Sequence, residues 1–171
     1  MATTLPVPIE FSLPEGWRSV DPDEIGTPEA AFVALHPASG GGGFTPNVTI
    51  TGELREADVP LSVVAEESVE RLRLGAREVK VGRTSEGGTA ENPVHTQAVR
   101  LEVTLSGQQQ YLVQYQVFMG FGDVAGTARR AVLQTVLTSR LDQFPQVIDD
   151  FQKFIETIRP EQGGTAPGGV S

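Results

Sequence analysis

Phe144, Val147, Ile148, Phe151, Phe154, Ile155 and Ile158 fall at offsets 0, 3, 4, 7, 10, 11 and 14. Only an α-helix brings that spacing onto one face. The stripe carries three phenylalanines and is wide, so it has to be buried against a broad apolar surface. The spacing predicts a helix near 142–158, with Asp142 as its cap and Pro145 in the first turn, where proline is tolerated.

Other stretches change the period to two and supply that surface. In 97–105, Gln97, Val99, Leu101, Val103 and Leu105 oppose Ala98, Arg100, Glu102 and Thr104, the alternation of a half-buried strand. Ser106 and Gly107 then read as a hairpin turn into 108–120. That run sets Tyr111, Val113, Tyr115 and Val117 on one side and Gln114 and Gln116 on the other. Further strands are expected at 8–14, 30–37, 44–54 and 129–140, with a loop over 120–127 before the last. Between them, Leu61, Val64, Ala65, Ser68 and Leu72 form a second helical stripe. Asp58 is placed to cap it, Pro60 lies in its first turn, and Gly75 can end it in the left-handed conformation. Glu66, Glu67 and Glu70 then belong to a solvated face. The sum is an α+β chain: an antiparallel β-sheet of about six to seven strands flanked by two main helices. It divides into a flexible N-terminus over 1–7, a single domain over 8–160 and a disordered tail over 161–171.

Composition excludes several classes of function. The chain has no cysteine, which removes disulfides, thiolate metal sites and cysteine nucleophiles. A net charge of −9 argues against nucleic acid and anionic membranes as partners, since both select clustered Lys and Arg. No apolar run reaches the roughly 18 residues of a membrane span, and the opening residues have no secretory pattern. The expectation is a cytoplasmic location without membrane insertion.

Candidate sites fail one by one on their chemistry. Gly40–Gly43 resemble a phosphate loop, yet they lead into Phe44-Thr45-Pro46 rather than a helix N-terminus, so a connection between strands is the better reading. Gly120, Gly122 and Gly126 follow an apolar strand, but the third glycine is one position late for a dinucleotide fingerprint, and a hairpin is favoured. Asp21, Asp23 and Gly26 imitate a calcium loop, in which Ile25 and Phe32 would stand at ligand positions. His36 and His95 have no HxH or HxxxH partner, and no G-x-S-x-G is present. No catalytic residue, cofactor or metal ligand is therefore assigned. The candidate partner- or ligand-binding residues are aromatic: Trp17, Phe44, Tyr111, Tyr115, Phe118 and Phe121. Ordinary core packing is the simpler account of them.

Three stretches in order form a known pattern. IEFSLPEGW resembles the opening strand–Pro–Gly–Trp of the PsbP-like superfamily of α/β/α sandwiches. FTPNVTITGEL resembles the Phe-x-Pro-Asn-Val strand of its actinobacterial LpqN / DcrB-like branch. VLTSRLDQFPQVIDDFQKFIETIRP is similar to the family's last strand and closing helix. The resemblance covers about residues 8–160. It implies an antiparallel sheet with helices on both sides and no enzymatic activity. It further implies a non-enzymatic protein-binding or adaptor domain, a chaperone or accessory factor for an exported protein. The expected partner is a protein, with a homodimer left open. A carrier of a hydrophobic small molecule, held in a pocket between sheet and helix, is the alternative reading.

Overall fold

The alternating stretches between residues 93 and 140 form the centre of the fold. The computed structural model of the chain describes residues 9–23, 30–39, 44–89, 92–105, 107–123 and 128–160. Strands β6 (Pro93–Leu105), β7 (Gln108–Asp123) and β8 (Arg129–Arg140) follow one another as neighbours. Gly107 makes the β6–β7 turn at φ +79°, a conformation that favours glycine; Ser106 lies outside the described residues. β4 (Asn47–Glu56) pairs with β8, β3 (Phe32–Leu35) with β4, and β2 (Arg18–Val20) with β3. On the other side β5 (Glu78–Gly88) pairs with β6. The order is β2-β3-β4-β8-β7-β6-β5, with seven strands all antiparallel. A separate two-stranded ribbon, β1 (Ile9–Glu10) with β9 (Arg159–Pro160), ties the two ends of the domain together.

The predicted aromatic helix is α2 (Phe144–Thr157). Its Val147, Phe151 and Phe154 are buried among Val48 and Ile50 of β4, Val117 and Met119 of β7, and Leu133 and Leu137 of β8. Phe11 meets Phe32 and Phe154 edge-on at 4.8 and 5.2 Å, and Trp17 closes the cluster by donating its indole N–H to Asp150 at 3.1 Å. The second helix, α1 (Leu61–Gly75), lies on the opposite face over β5, β6 and β7. The α/β/α arrangement expected from the sequence is thus observed.

Several local expectations are corrected. Asp142 does not cap α2: Gln143 holds that position, and Asp142 instead accepts two bonds from Arg140, both 3.0 Å. Asp58 does not cap α1, whose N-cap is Pro60 with no side-chain bond. Gly75 is the last helical residue, and the cap is Ala76, extended, donating to Leu72 O at 2.9 Å. The loop expected from 120 is strand as far as Asp123, because β7 stays paired to β8 past a bulge between Phe121 and Asp123. The first strand is only Ile9–Glu10, and a short β2, for which no strand was expected, follows Trp17. The glycine run 40–43, both terminal segments (1–7 and 161–171), Gly26 and Gly126 lie outside the described residues.

Because α2 supplies the large buried rings, Phe151→Ala is expected to destabilise the fold by about 3–5 kcal/mol in urea unfolding. Val69→Ala, in the thinner cluster under α1, should cost less than about 2 kcal/mol. Equal losses would contradict this division of the core.

Candidate interaction surface

Even-numbered residues of β7 and β8 and odd-numbered residues of β4 and β6 point toward α1. Many of them are polar. Gln97 and Gln116, buried at 4% and 0% exposure, lie side by side in the register. Gln97 Nε2 donates to Gln116 Oε1 at 2.7 Å and to the backbone oxygen of Ala65, within α1, at 3.2 Å. Gln116 Nε2 donates in turn to Gln114 Oε1 at 2.8 Å. Gln134 Nε2 donates to Ser68 Oγ at 2.9 Å. Buried amides survive only when paired, and here the pairing fixes the helix to the sheet.

Two arginines complete the attachment. Arg55 at the end of β4 forks onto Glu67 of α1 at 2.7 and 3.0 Å and also reaches Glu53 at 3.1 Å. The fork holds the Glu67 carboxyl below the usual carboxylate range, its first cause being the Arg55 hydrogen bond, and it raises the Arg55 guanidinium. Arg130, mostly buried, donates through Nη2 to Val59 O at 2.6 Å ahead of α1, while its Nε has no partner among the described residues.

A groove opens on either flank of this helix. The one toward β4 and β8 has a volume of about 450 Å³ and is lined by Thr49, Thr51, Glu53, Arg71, Gln114 and Gln134 among others. The one toward β5 and β6, about 580 Å³, includes Ser62, Glu66, Thr84, His95 and Gln97. His95 Nδ1 lies 3.3 Å from Glu86 Oε2, and no hydrogen bond joins it to Ser62 or Thr84 among the described residues. His36 packs on Trp17 with ring centres 4.9 Å apart. Among the described residues no group of three His, Asp or Glu could hold a metal ion, and Asp21 Oδ1 accepts from Asp23 N at 2.9 Å, a simple turn. The linings are mixed and open, which suits a wet polar contact better than an apolar carrier pocket.

The six aromatic candidates do not converge. Trp17, Tyr115 and Phe121 pack in or against the α2 cluster, with Tyr115 edge-on to Phe151 at 5.8 Å. Phe118 is fully buried on the other face beneath α1, and Phe44 packs at the margin of the Val69–Leu112 cluster there. Only Tyr111 is widely exposed, at 55%. The residues that shape the grooves were not among the expected ones. Their signal was four glutamines at alternating strand positions, Gln97, Gln114, Gln116 and Gln134.

No protein-family model matches the chain, and no curated protein matches it either. Solved structures do. LpqN of Mycobacterium tuberculosis, described as involved in cell envelope biogenesis, matches with a TM-score of 0.60 at 14% identity, over 91% of this chain and 86% of that one. Cyanobacterial PsbP (CyanoP) of Synechocystis sp. PCC 6803 gives 0.58 at 14% identity, over 90% and 86%. The Ran-binding protein Mog1p of Saccharomyces cerevisiae gives 0.53 at 12% identity, over 89% of each chain. The chain has the PsbP-like fold, with LpqN as a structural neighbour, and at these identities the likeness is one of fold.

The Arg55–Glu67 fork generates a pH-dependent prediction. A carboxyl held below its ordinary value contributes stability above that value and loses it as pH falls through the folded value. Glu67→Gln should therefore lower the unfolding free energy from urea titration at pH 7, by at most about 1 kcal/mol because the pair is partly exposed. The gap to the unsubstituted chain should close below about pH 4. A gap that stays constant down to pH 3 would show that the fork adds nothing.

Proposed function

We propose that this chain is a non-enzymatic protein-binding domain, an adaptor or chaperone for an exported protein, which receives its partner in the groove between α1 and β4–β8. The observation that carries the reading is the unspent polarity of that groove. The side-chain hydroxyls of Thr49 and Thr51 and the Arg71 guanidinium line it and make no hydrogen bond among the described residues. A segment of another protein carries amides, carbonyls and carboxylates that match such groups.

Support for a binding role also comes from the shared fold, since one structural neighbour is a Ran-binding protein and another is involved in cell envelope biogenesis. Fold alone does not carry function, so the groove is the part to test. No helix among the described residues is long and apolar enough to cross a membrane. A cytoplasmic place of action is part of the proposal and is checked by cell fractionation.

Thr51→Arg and Gln134→Arg fill the groove without touching the α2 core. In pull-downs from native lysate, the unsubstituted chain should retain a stoichiometric partner identifiable by mass spectrometry as an exported protein. Both groove variants should lose it, and Lys153→Glu on the exposed side of α2 should keep it. A partner indifferent to both groove variants, or none at all, would sink the reading.

A further inference from the structure

Among the described residues no helix packs on the face of β5 and β6 that looks away from α1. None of its described residues is buried: Thr96, Ala98 and Glu102 are half-buried, and Glu78, Lys80, Arg83, Ser85, Arg100 and Thr104 are exposed. Within this face the register sets like charges directly opposite one another. Glu78 pairs with Glu102, and Lys80 pairs with Arg100 in the next row. Directly opposed like charges on one face destabilise a strand pair. Relief within the chain is partial. Lys80 lies 3.6 Å from Glu78, and Glu102 accepts from Gln109 and lies 3.5 Å from Arg77. Arg100 has no side-chain partner among the described residues. At one end of the acidic row, Tyr111 and Leu141, 55% and 39% exposed, border a depression of about 190 Å³.

An acidic row beside a basic row is self-complementary. We propose that this face is the interface of a symmetric homodimer. A second copy is turned about a two-fold axis that crosses the strands between the two rows. That rotation lays the Glu78–Glu102 row of each copy on the Lys80–Arg100 row of the other. Both contacts form at once, as an isologous interface requires. It supplies Arg100 with the carboxylate it lacks, and it covers Tyr111, a residue type enriched at interface centres. The surface is separate from the groove beside α1, so the two readings stand or fall independently.

The test uses the whole chain in sedimentation velocity. A dimer is expected at low ionic strength, shifting toward monomer in about 1 M salt, where charges are screened within about 3 Å. The double variants Lys80→Glu/Arg100→Glu and Glu78→Lys/Glu102→Lys should each be monomeric, with far-UV dichroism unchanged. Mixed together, they should form a 1:1 heterodimer, because an all-acidic face then meets an all-basic one. Glu102 is only 15% exposed, so Tyr111→Ser provides a milder variant, expected to weaken the dimer at least roughly tenfold. A chain that is monomeric at every concentration at low salt would overturn the proposal. So would a dimer indifferent to Tyr111→Ser and to the basic-row reversal.

Discussion

Sheet width is the constraint on which the rest of the structure depends. Seven strands at about 4.8 Å spacing span roughly 29 Å, whereas one helix with its side chains covers about 10–12 Å. A single helix per face cannot hide such a sheet. Here the two helices are displaced from each other: α2 lies over β4, β8 and β7, and α1 over β7, β6 and β5. β7 and the Val132–Gln134 part of β8 are covered on both sides, and β7 carries an unbroken buried run from Gln116 to Gly120. Among the described residues two diagonal quadrants stay open, one beside α1 on the β4–β8 side and one beneath β5 and β6. Both candidate surfaces follow from that displacement.

The two helices are attached by different physics. α2 is held by ring packing, in which each fully buried large side chain contributes about 1.5–3 kcal/mol. Under α1 the contacts are small and partly polar: Val64, Ala65, Ser68 and Val69 against Gln97, Gln116, Gln134 and Phe118. A hydrogen bond exchanged with water nets about 1 kcal/mol, so the glutamines place α1 more than they stabilise it. An element held this way sits at the low-stability end of the domain and opens more readily than the sheet below it. A helix of that kind is suited to border a binding groove, since displacing it does not disturb the aromatic core.

How much of this was legible in the sequence follows the same division. The stripe of α2 and the alternation of β6 and β7 were readable because burial against one large apolar surface leaves a clean period. Alternation also held the answer about the aromatic set: Tyr111, Tyr115 and Phe121 share parity along β7, and Phe118 does not. They could never have shared a face. Gln114 and Gln116 were placed correctly on the face opposite Tyr115. Nothing local reveals that α1 packs over it and takes its hydrogen bonds at Ala65 O and Ser68 Oγ. The caps failed for a related reason. Asp142 had a stronger partner two residues back in Arg140, a competition that capping preference alone does not weigh.

The likeness to solved structures at 12–16% identity fits this picture. What the fold demands is a period-two pattern over the sheet and one strongly apolar helix face, conditions that many sequences meet. Neither open quadrant is needed for either condition. Residues such as Thr51, Arg71, Lys80, Arg100 and Tyr111 can therefore change without loss of the fold, and their chemistry is set by what they meet. That is why a shared frame is a poor guide to the partner, and why the groove lining and the charge rows are the places where this chain's own binding is written.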